Sequence, residues 1–184
     1  MIVDDEEAVR QSYRLILESD DGTQEIDDIA SSLFDETPSF TVLDEVEFFF
    51  DETDLIVEEE LQTGSYKIIE TSQGMDAVEI IKKSLNKNQP FSLIFMDIRM
   101  PPGIDGVQAA KKIRQLDPNV EIVIMTAYSD YSFEDIVKTV GNPERLLYFN
   151  KPFKSEHIKQ LASSLTQQWH LERKRLQQDQ TDAE

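Results

Sequence analysis

Asp4 and Asp5 stand side by side after Ile2-Val3, and a third acid, Asp97, ends the apolar run Phe91 to Met96. Thr126 closes a second apolar run, Val120 to Met125, and Lys151 lies just beyond a third, Leu146 to Phe149. If these strand-sized runs lie side by side, one edge collects three carboxylates, a hydroxyl and an ammonium. Carboxylates brought together repel and raise one another's pKa unless a cation sits among them. Hard oxygen ligands with open positions suit Mg²⁺, which keeps waters and takes a phosphate oxygen. In such a pocket an Asp carboxylate can attack phosphorus, the metal can neutralise charge on the transferring group, and Thr and Lys can hold its remaining oxygens.

That gathering needs a scaffold, and the spacing of apolar residues supplies one. Ile2-Val3 leads into a helix over Glu6 to Leu17, by the recurrence of Val9, Tyr13, Ile16 and Leu17. Tyr66 to Glu70 reads as a strand, Gly74 to Leu85 as a helix, Phe91 to Met96 as a buried strand, and Gly106 to Leu116 as a helix ending before Asp117-Pro118. Val120 to Met125 is an apolar strand. Phe133 to Val140 is a helix with Ser132 as its N-cap and Gly141 beyond its end. Leu146 to Phe149 is a fifth strand, and a last helix starts near Ser155. Five strands alternating with five helices predict an α/β fold, a doubly wound five-stranded parallel sheet covered on both faces. Ligands of such sheets bind at the carboxyl ends of the strands, where the acids, Thr126 and Lys151 fall.

The chain has 184 residues, with 37 Asp or Glu against 18 Lys or Arg and a formal charge of −19. That length suits one domain with an appendage. A charge of that sign repels a phosphate backbone and an anionic bilayer, which makes the chain a poor candidate for binding nucleic acid or a membrane surface without another chain or domain. The imbalance is local. Residues 18–64 hold seventeen acids and no Lys or Arg, leaving 20 acids against 18 bases elsewhere. The stretch reads as an acidic insertion with a helix near Gln24 to Phe34, either a solvated elaboration or a docking surface for a basic partner. It lacks the D-x-[DN]-x-[DN]-G loop of a calcium site. There is no cysteine, which removes disulfides, thiolate metal sites and cysteine nucleophiles. The apolar runs are strand-sized, and the N-terminus is acidic where a targeting segment would be basic, so we place the chain in the cytoplasm.

The ordered set Ile2-Val3-Asp4-Asp5-Glu6, Met96-Asp97-Ile98-Arg99-Met100-Pro101, Asp105-Gly106, Met125-Thr126-Ala127 and Lys151-Pro152-Phe153 resembles the receiver domains of two-component response regulators, the CheY-like superfamily. The resemblance implies that Asp97 accepts a phosphoryl group from a phosphohistidine. It implies that Asp4, Asp5, Asp97 and the backbone carbonyl of Arg99 bind Mg²⁺, and that Thr126 and Lys151 contact the phosphoryl group. The chain would then be an acceptor rather than a turnover enzyme. A switch in which Thr126 moves toward the phosphoryl group and Tyr148 turns inward is implied too, coupled to the surface of the fourth helix, fifth strand and fifth helix. A cis Lys151-Pro152 bond is a further implication. The implied partners are a histidine kinase or phosphotransfer protein and an output module, in the same chain or another protein. On the residues alone, Asp5 could instead cap the first helix. Tyr128, two residues after Thr126, is placed to exclude the hydrolytic water and slow loss of the phosphoryl group.

Three features depart from an average receiver. The first strand has only Met1, Ile2 and Val3 before the acidic pair, where strands commonly run about five to six residues, which leads us to expect residues upstream. The loop Met100-Pro101-Pro102-Gly103-Ile104-Asp105-Gly106 is one residue longer than the family's commonest form. With Thr126-Ala127-Tyr128-Ser129-Asp130 it resembles the receivers found beside histidine kinase or diguanylate cyclase modules. The third feature is the insertion. Residues 1–166 thus read as the receiver and 167–184 as a helical tail toward an output module. Ile158, Leu161, Ala162, Leu165 and Trp169 form a stripe that packs on the sheet, and pairing of the remainder into a two-helix rod would make a homodimer. His157 and His170 read as surface residues. A haloacid dehalogenase-like phosphatase also uses a strand-end Asp with Mg²⁺, Thr and Lys, but position 99 is Arg where that family needs a second Asp. A phosphorylation-independent interaction module built on the insertion is the alternative within the same fold.

Overall fold

The computed structural model of the chain describes residues 1–19, 66–127 and 131–181, with side chains to residue 178. Strands and helices alternate: β1 (Ile2–Val3), α1 (Glu7–Glu18), β2 (Glu70–Thr71), α2 (Gly74–Asn86), β3 (Leu93–Asp97), α3 (Gly106–Leu116), β4 (Glu121–Thr126), α4 (Phe133–Val140), β5 (Leu146–Asn150) and α5 (Ser155–Thr181). The sheet is parallel throughout, in the order β2-β1-β3-β4-β5. Strand order reverses at β1, and such a switch point opens a crevice at the strand carboxyl ends.

Period-2 alternation along the strands builds two cores. Ile94, Met96, Ile122 and Ile124 face α2, α3 and α4, packing on Ala77, Ile81, Ala110, Ile113 and Ile136. Leu93, Phe95, Val123 and Met125 face the other way, onto Val9, Tyr13 and Ile16 of α1 and Ile158, Ala162 and Leu165 of α5. Residues buried on both faces of each central strand explain why these runs are apolar without a break.

Local chemistry sets several ends where expected. The Ser132 hydroxyl accepts from the amide of Asp135 at 3.2 Å and donates to its carboxylate at 2.7 Å, and α4 stops at Gly141, whose φ of 76° suits a residue without a side chain. Asp105 caps α3, accepting from the amide of Gln108 at 2.8 Å. The second strand differs from expectation: Glu70–Thr71 is the paired segment, and Tyr66 to Ile69 is irregular. The cause is tertiary, because β1 presents only Ile2 and Val3 for this edge to pair with. Both Lys151-Pro152, as the resemblance implied, and Pro101-Pro102 are cis. The helix expected near Gln24 to Phe34, almost all of the acidic insertion, and Tyr128 lie outside the described residues.

Trp169, the last residue of the expected stripe, is buried, and α5 stays attached to the domain just beyond it: Glu172 pairs with Arg145, and the Arg173 guanidinium lies 5.1 Å from the centre of the Trp169 indole ring. His157 and His170 are exposed, as expected.

Candidate functional site

The ladder brings the acids together. Val3 pairs with Met96, so Asp4 leaves β1 beside Asp97 leaving β3. Met125 pairs with Asp97, and Thr126 pairs with Asn150, which delivers Lys151 to the same edge. The amide of Lys151 donates to the Thr126 carbonyl at 2.8 Å and extends that ladder by one step. Asp4, Asp97 and Thr126 are all buried.

Lys151 sits between two acids. Its ammonium donates to Asp4 Oδ2 at 2.7 Å and lies 2.8 Å from Asp97 Oδ1. The second oxygen of Asp97 accepts from the amide of Arg99 at 2.8 Å, and Oδ1 of Asp4 accepts from the amide of Glu6 at 3.0 Å. Asp4 therefore serves the start of α1, and the N-cap position, Glu6, makes no side-chain cap bond. The Asp5 carboxylate has no hydrogen bond or ion pair among the described residues. Burial raises the Asp97 carboxyl above the ordinary aspartate range; Lys151 and the Arg99 amide oppose that rise, while Asp4 adds to it. Burial works to lower the Lys151 ammonium, but the charges and hydrogen bonds of Asp4 and Asp97 outweigh it, so its pKa stands above that of a free lysine.

One glycine closes the loop behind Asp97. A Cβ on Gly106 would lie 1.9 Å from the Asp97 carbonyl oxygen, and the Gly106 amide donates to the Ile98 carbonyl at 2.8 Å. The seven-residue excursion from Arg99 to Asp105 thus returns onto the acid it left. Tyr131 ties it down by donating to Asp105 Oδ2 at 3.0 Å. Tyr148 is half-buried on β5, its ring edge-on to Phe133 at 6.4 Å between centroids.

Does this donor set suit Mg²⁺? Among the described residues no three His, Cys, Asp or Glu side chains cluster tightly enough to hold a metal by themselves. Mg²⁺ asks for less, binding through one or two carboxylates with waters and a phosphate oxygen. Two buried carboxylates share one ammonium here and Asp5 adds a third, so the described residues of the edge carry a net negative charge. The residues fit a divalent cation.

Asp4, Asp97, Thr126 and Lys151 are brought to one edge, with Asp5 and Arg99 at the loops that leave it; Tyr148 lies on the neighbouring surface of β5. Two contacts were not singled out from sequence: Tyr131 to Asp105, and Arg10, whose guanidinium donates to the backbone of the acidic pair. The available signal for Arg10 was its place one turn into α1, on the side turned toward β1.

Comparison with known proteins agrees with this geometry. Residues 50–163 match the response regulator receiver domain. The chain is 28% identical over 105 residues to sporulation initiation phosphotransferase F of Bacillus subtilis, covering 57% of this chain and 77% of that one. It is 32% identical over 69 residues to the transcriptional regulatory protein ZraR of Klebsiella oxytoca, covering 38% of this chain but 14% of that longer protein. The fold superposes on the N-terminal domain of a response regulator/sensory box/GGDEF three-domain protein from Carboxydothermus hydrogenoformans, with a TM-score of 0.54 at 17% identity over 93% of this chain and 95% of that one. The matched span opens after the acidic pair, which the sheet then returns to the site through β1, between β2 and β3. With the strand order, the strand-end acids and the matched span in agreement, this chain belongs to the response regulator receiver domain family, the phosphoacceptor modules of two-component phosphorelays.

Proposed function

We propose that Asp97 is the phosphoacceptor and that the edge formed by Asp4, Asp5, Asp97, Thr126 and Lys151 is the site of a Mg²⁺-dependent transfer from a phosphohistidine. The observation that carries this reading is the Lys151 ammonium held at 2.7 and 2.8 Å between Asp4 and Asp97. An oxygen of the Asp97 carboxylate forms the new bond to phosphorus, and the bond from phosphorus to the donor imidazole breaks. Lys151 is placed to follow the incoming oxygens, exchanging a carboxylate partner for a phosphoryl one. Thr126, on the adjoining strand, supplies a hydroxyl to the same group, and burial of the edge limits access of the water that would hydrolyse the acyl phosphate.

Asp4, Asp5, Asp97 and the backbone carbonyl of Arg99 would hold the ion. When bound, Mg²⁺ supplies charge neutralisation for the transferring group. Thr126 and Tyr148 form the switch, linking the site to the surface of α4, β5 and α5. Residues 1–166, with the acidic insertion 18–64, make up the receiver. Residues 167–184 lead toward an output module, in this chain or a partner, the start of that tail being held by Trp169 and by Glu172 on Arg145. The phosphodonor is a histidine kinase or phosphotransfer protein. The lack of cysteine supports a reducing compartment, the cytoplasm.

The test is intact-mass measurement of the wild-type chain and Asp97→Asn after incubation with Mg²⁺ and a small-molecule phosphodonor. One phosphoryl adduct, lost on hydroxylamine treatment and absent from the variant, is the expected result. A wild-type chain that binds Mg²⁺ yet takes no adduct would overturn the reading.

A further inference from the structure

The acidic pair is held by its backbone as well as by its carboxylates. Nη1 of Arg10 donates to the carbonyl oxygen of Asp4 at 2.6 Å and to that of Asp5 at 3.1 Å. A guanidinium is planar and its donors are fixed in direction. One nitrogen spanning two successive carbonyls therefore sets the rotation of the Asp4-Asp5 peptide relative to α1, and with it the direction in which each carboxylate leaves the chain.

The guanidinium is itself anchored. Its Nε lies 3.8 Å from Glu70 Oε2, with the two side chains only 15% and 21% exposed. Glu70 belongs to β2, where it pairs with Ile2, and its other oxygen takes Arg14 at 2.5 Å. A chain of contacts thus runs from the edge strand through Glu70 and Arg10 to the turn that carries both acids. Asp4 has further restraints, from the Glu6 amide and from Lys151. For Asp5, the contact among the described residues is Arg10 on its carbonyl.

Charge and geometry act with opposite sign. As a charge, Arg10 opposes a cation bound by Asp4 and Asp5, so its removal should tighten binding. As a constraint, it holds those carboxylates in place, so its removal should weaken binding. Glu70 offsets part of the positive charge while leaving the two carbonyl contacts intact, so the constraint is the larger effect. We propose that Arg10 is a positioning residue that orders the Asp4-Asp5 pair for a divalent cation, with Glu70 as its anchor. The proposal rests on the reading of this edge as a Mg²⁺-dependent phosphoacceptor site.

The experiment is calorimetric titration of the full chain with Mg²⁺ alone, without phosphodonor, for wild type, Arg10→Met, Arg10→Lys, Glu70→Gln and Arg14→Met. Partners that orient metal ligands commonly contribute about tenfold or more to affinity, so Arg10→Met should weaken Mg²⁺ binding about tenfold. Arg10→Lys should recover part of the loss, because one ammonium can reach a carbonyl without fixing the peptide plane. Glu70→Gln should weaken binding less than Arg10→Met, and Arg14→Met, which touches Glu70 but neither carbonyl, should leave it unchanged. With a small-molecule phosphodonor added, the Mg²⁺ concentration giving half-maximal rate should rise in Arg10→Met while the limiting rate stays near wild type. Circular dichroism of each variant checks the fold, and the Lys and Gln variants keep the test decisive if the Met variant unfolds. Arg10→Met binding Mg²⁺ as tightly as wild type, or tighter, overturns the proposal, as does a loss in Arg14→Met equal to that in Glu70→Gln. A wild-type chain that binds Mg²⁺ but forms no adduct overturns the phosphoacceptor reading and leaves the positioning comparison standing; one that binds no Mg²⁺ overturns both.

Discussion

Replacing Lys151 by Met keeps the aliphatic stem and removes the cation that, among the described residues, stands between Asp4 and Asp97. The ammonium lies 2.7 and 2.8 Å from the two acids, and the three side chains are each less than a tenth exposed. At an effective dielectric of about 20, each contact corresponds to roughly 6 kcal/mol of attraction before desolvation is subtracted. Removing one partner of a buried pair costs about 3 to 5 kcal/mol, because the remaining charge stays desolvated. The variant has an escape, in that Asp97 can take up a proton. At about pH 7.5 that costs an ordinary aspartic acid about 5 kcal/mol, and at about pH 5.5 only about 2 kcal/mol. The expected destabilisation without metal is therefore about 3 to 5 kcal/mol near pH 7.5, shrinking to about 2 near pH 5.5. The sign follows from Asp97: its folded pKa is raised in the wild type and rises further without Lys151, so the variant gains stability as pH falls toward that value. Mg²⁺ should narrow the deficit at the higher pH, since a divalent cation replaces the missing charge and meets no competing ammonium. The assay is urea unfolding of both proteins followed by far-UV circular dichroism, at the two pH values, with and without Mg²⁺. A deficit below about 0.5 kcal/mol near pH 7.5, or one of the same size at both pH values, would show that Lys151 does not neutralise a buried pair of acids.

Two further outcomes can be checked on the same instruments. Gly106→Ala should cost about 1 to 3 kcal/mol and slow acyl-phosphate formation, because the added Cβ meets the Asp97 carbonyl, a backbone atom that no side-chain rotation can move aside; unchanged unfolding and phosphorylation would show that the loop is not held against Asp97. At the opposite end of the sheet, Glu121 is fully buried at 2.6 Å from Arg145, and burial pushes its carboxyl above the usual glutamate range. Arg145→Met should therefore destabilise by about 3 kcal/mol or more at neutral pH, with the loss shrinking as pH falls and Glu121 protonates, whereas Glu121→Gln should cost nearer 1 kcal/mol. Equal effects of the two substitutions in urea unfolding would contradict that assignment of the strain to an unpaired carboxylate.

Features that rest on short-range signals were legible in the amino-acid sequence. Helices α3 and α4 fall on the expected residues, because the Ser132 cap, the Gly141 stop and the residues before Pro118 act within a turn of the element they bound. The apolar runs of β3 and β4 announced a parallel sheet because both of their faces are buried, and a parallel sheet places the residues that follow each of its strands at one edge. That is why Asp4, Asp97, Thr126 and Lys151 could be picked out before their contacts were known. Tertiary structure decided what depends on partners far along the chain. β2 is shorter than its composition suggests because its neighbour offers two residues to pair with. Lys151 reaches Asp4 across 147 positions, Arg10 turns back onto the acidic pair through Glu70, and Arg145 joins Glu121 to Glu172 at the far end of the sheet. In each case a charged side chain's role follows from which opposite charge or carbonyl the fold carries to it, and residue type alone does not encode that distance.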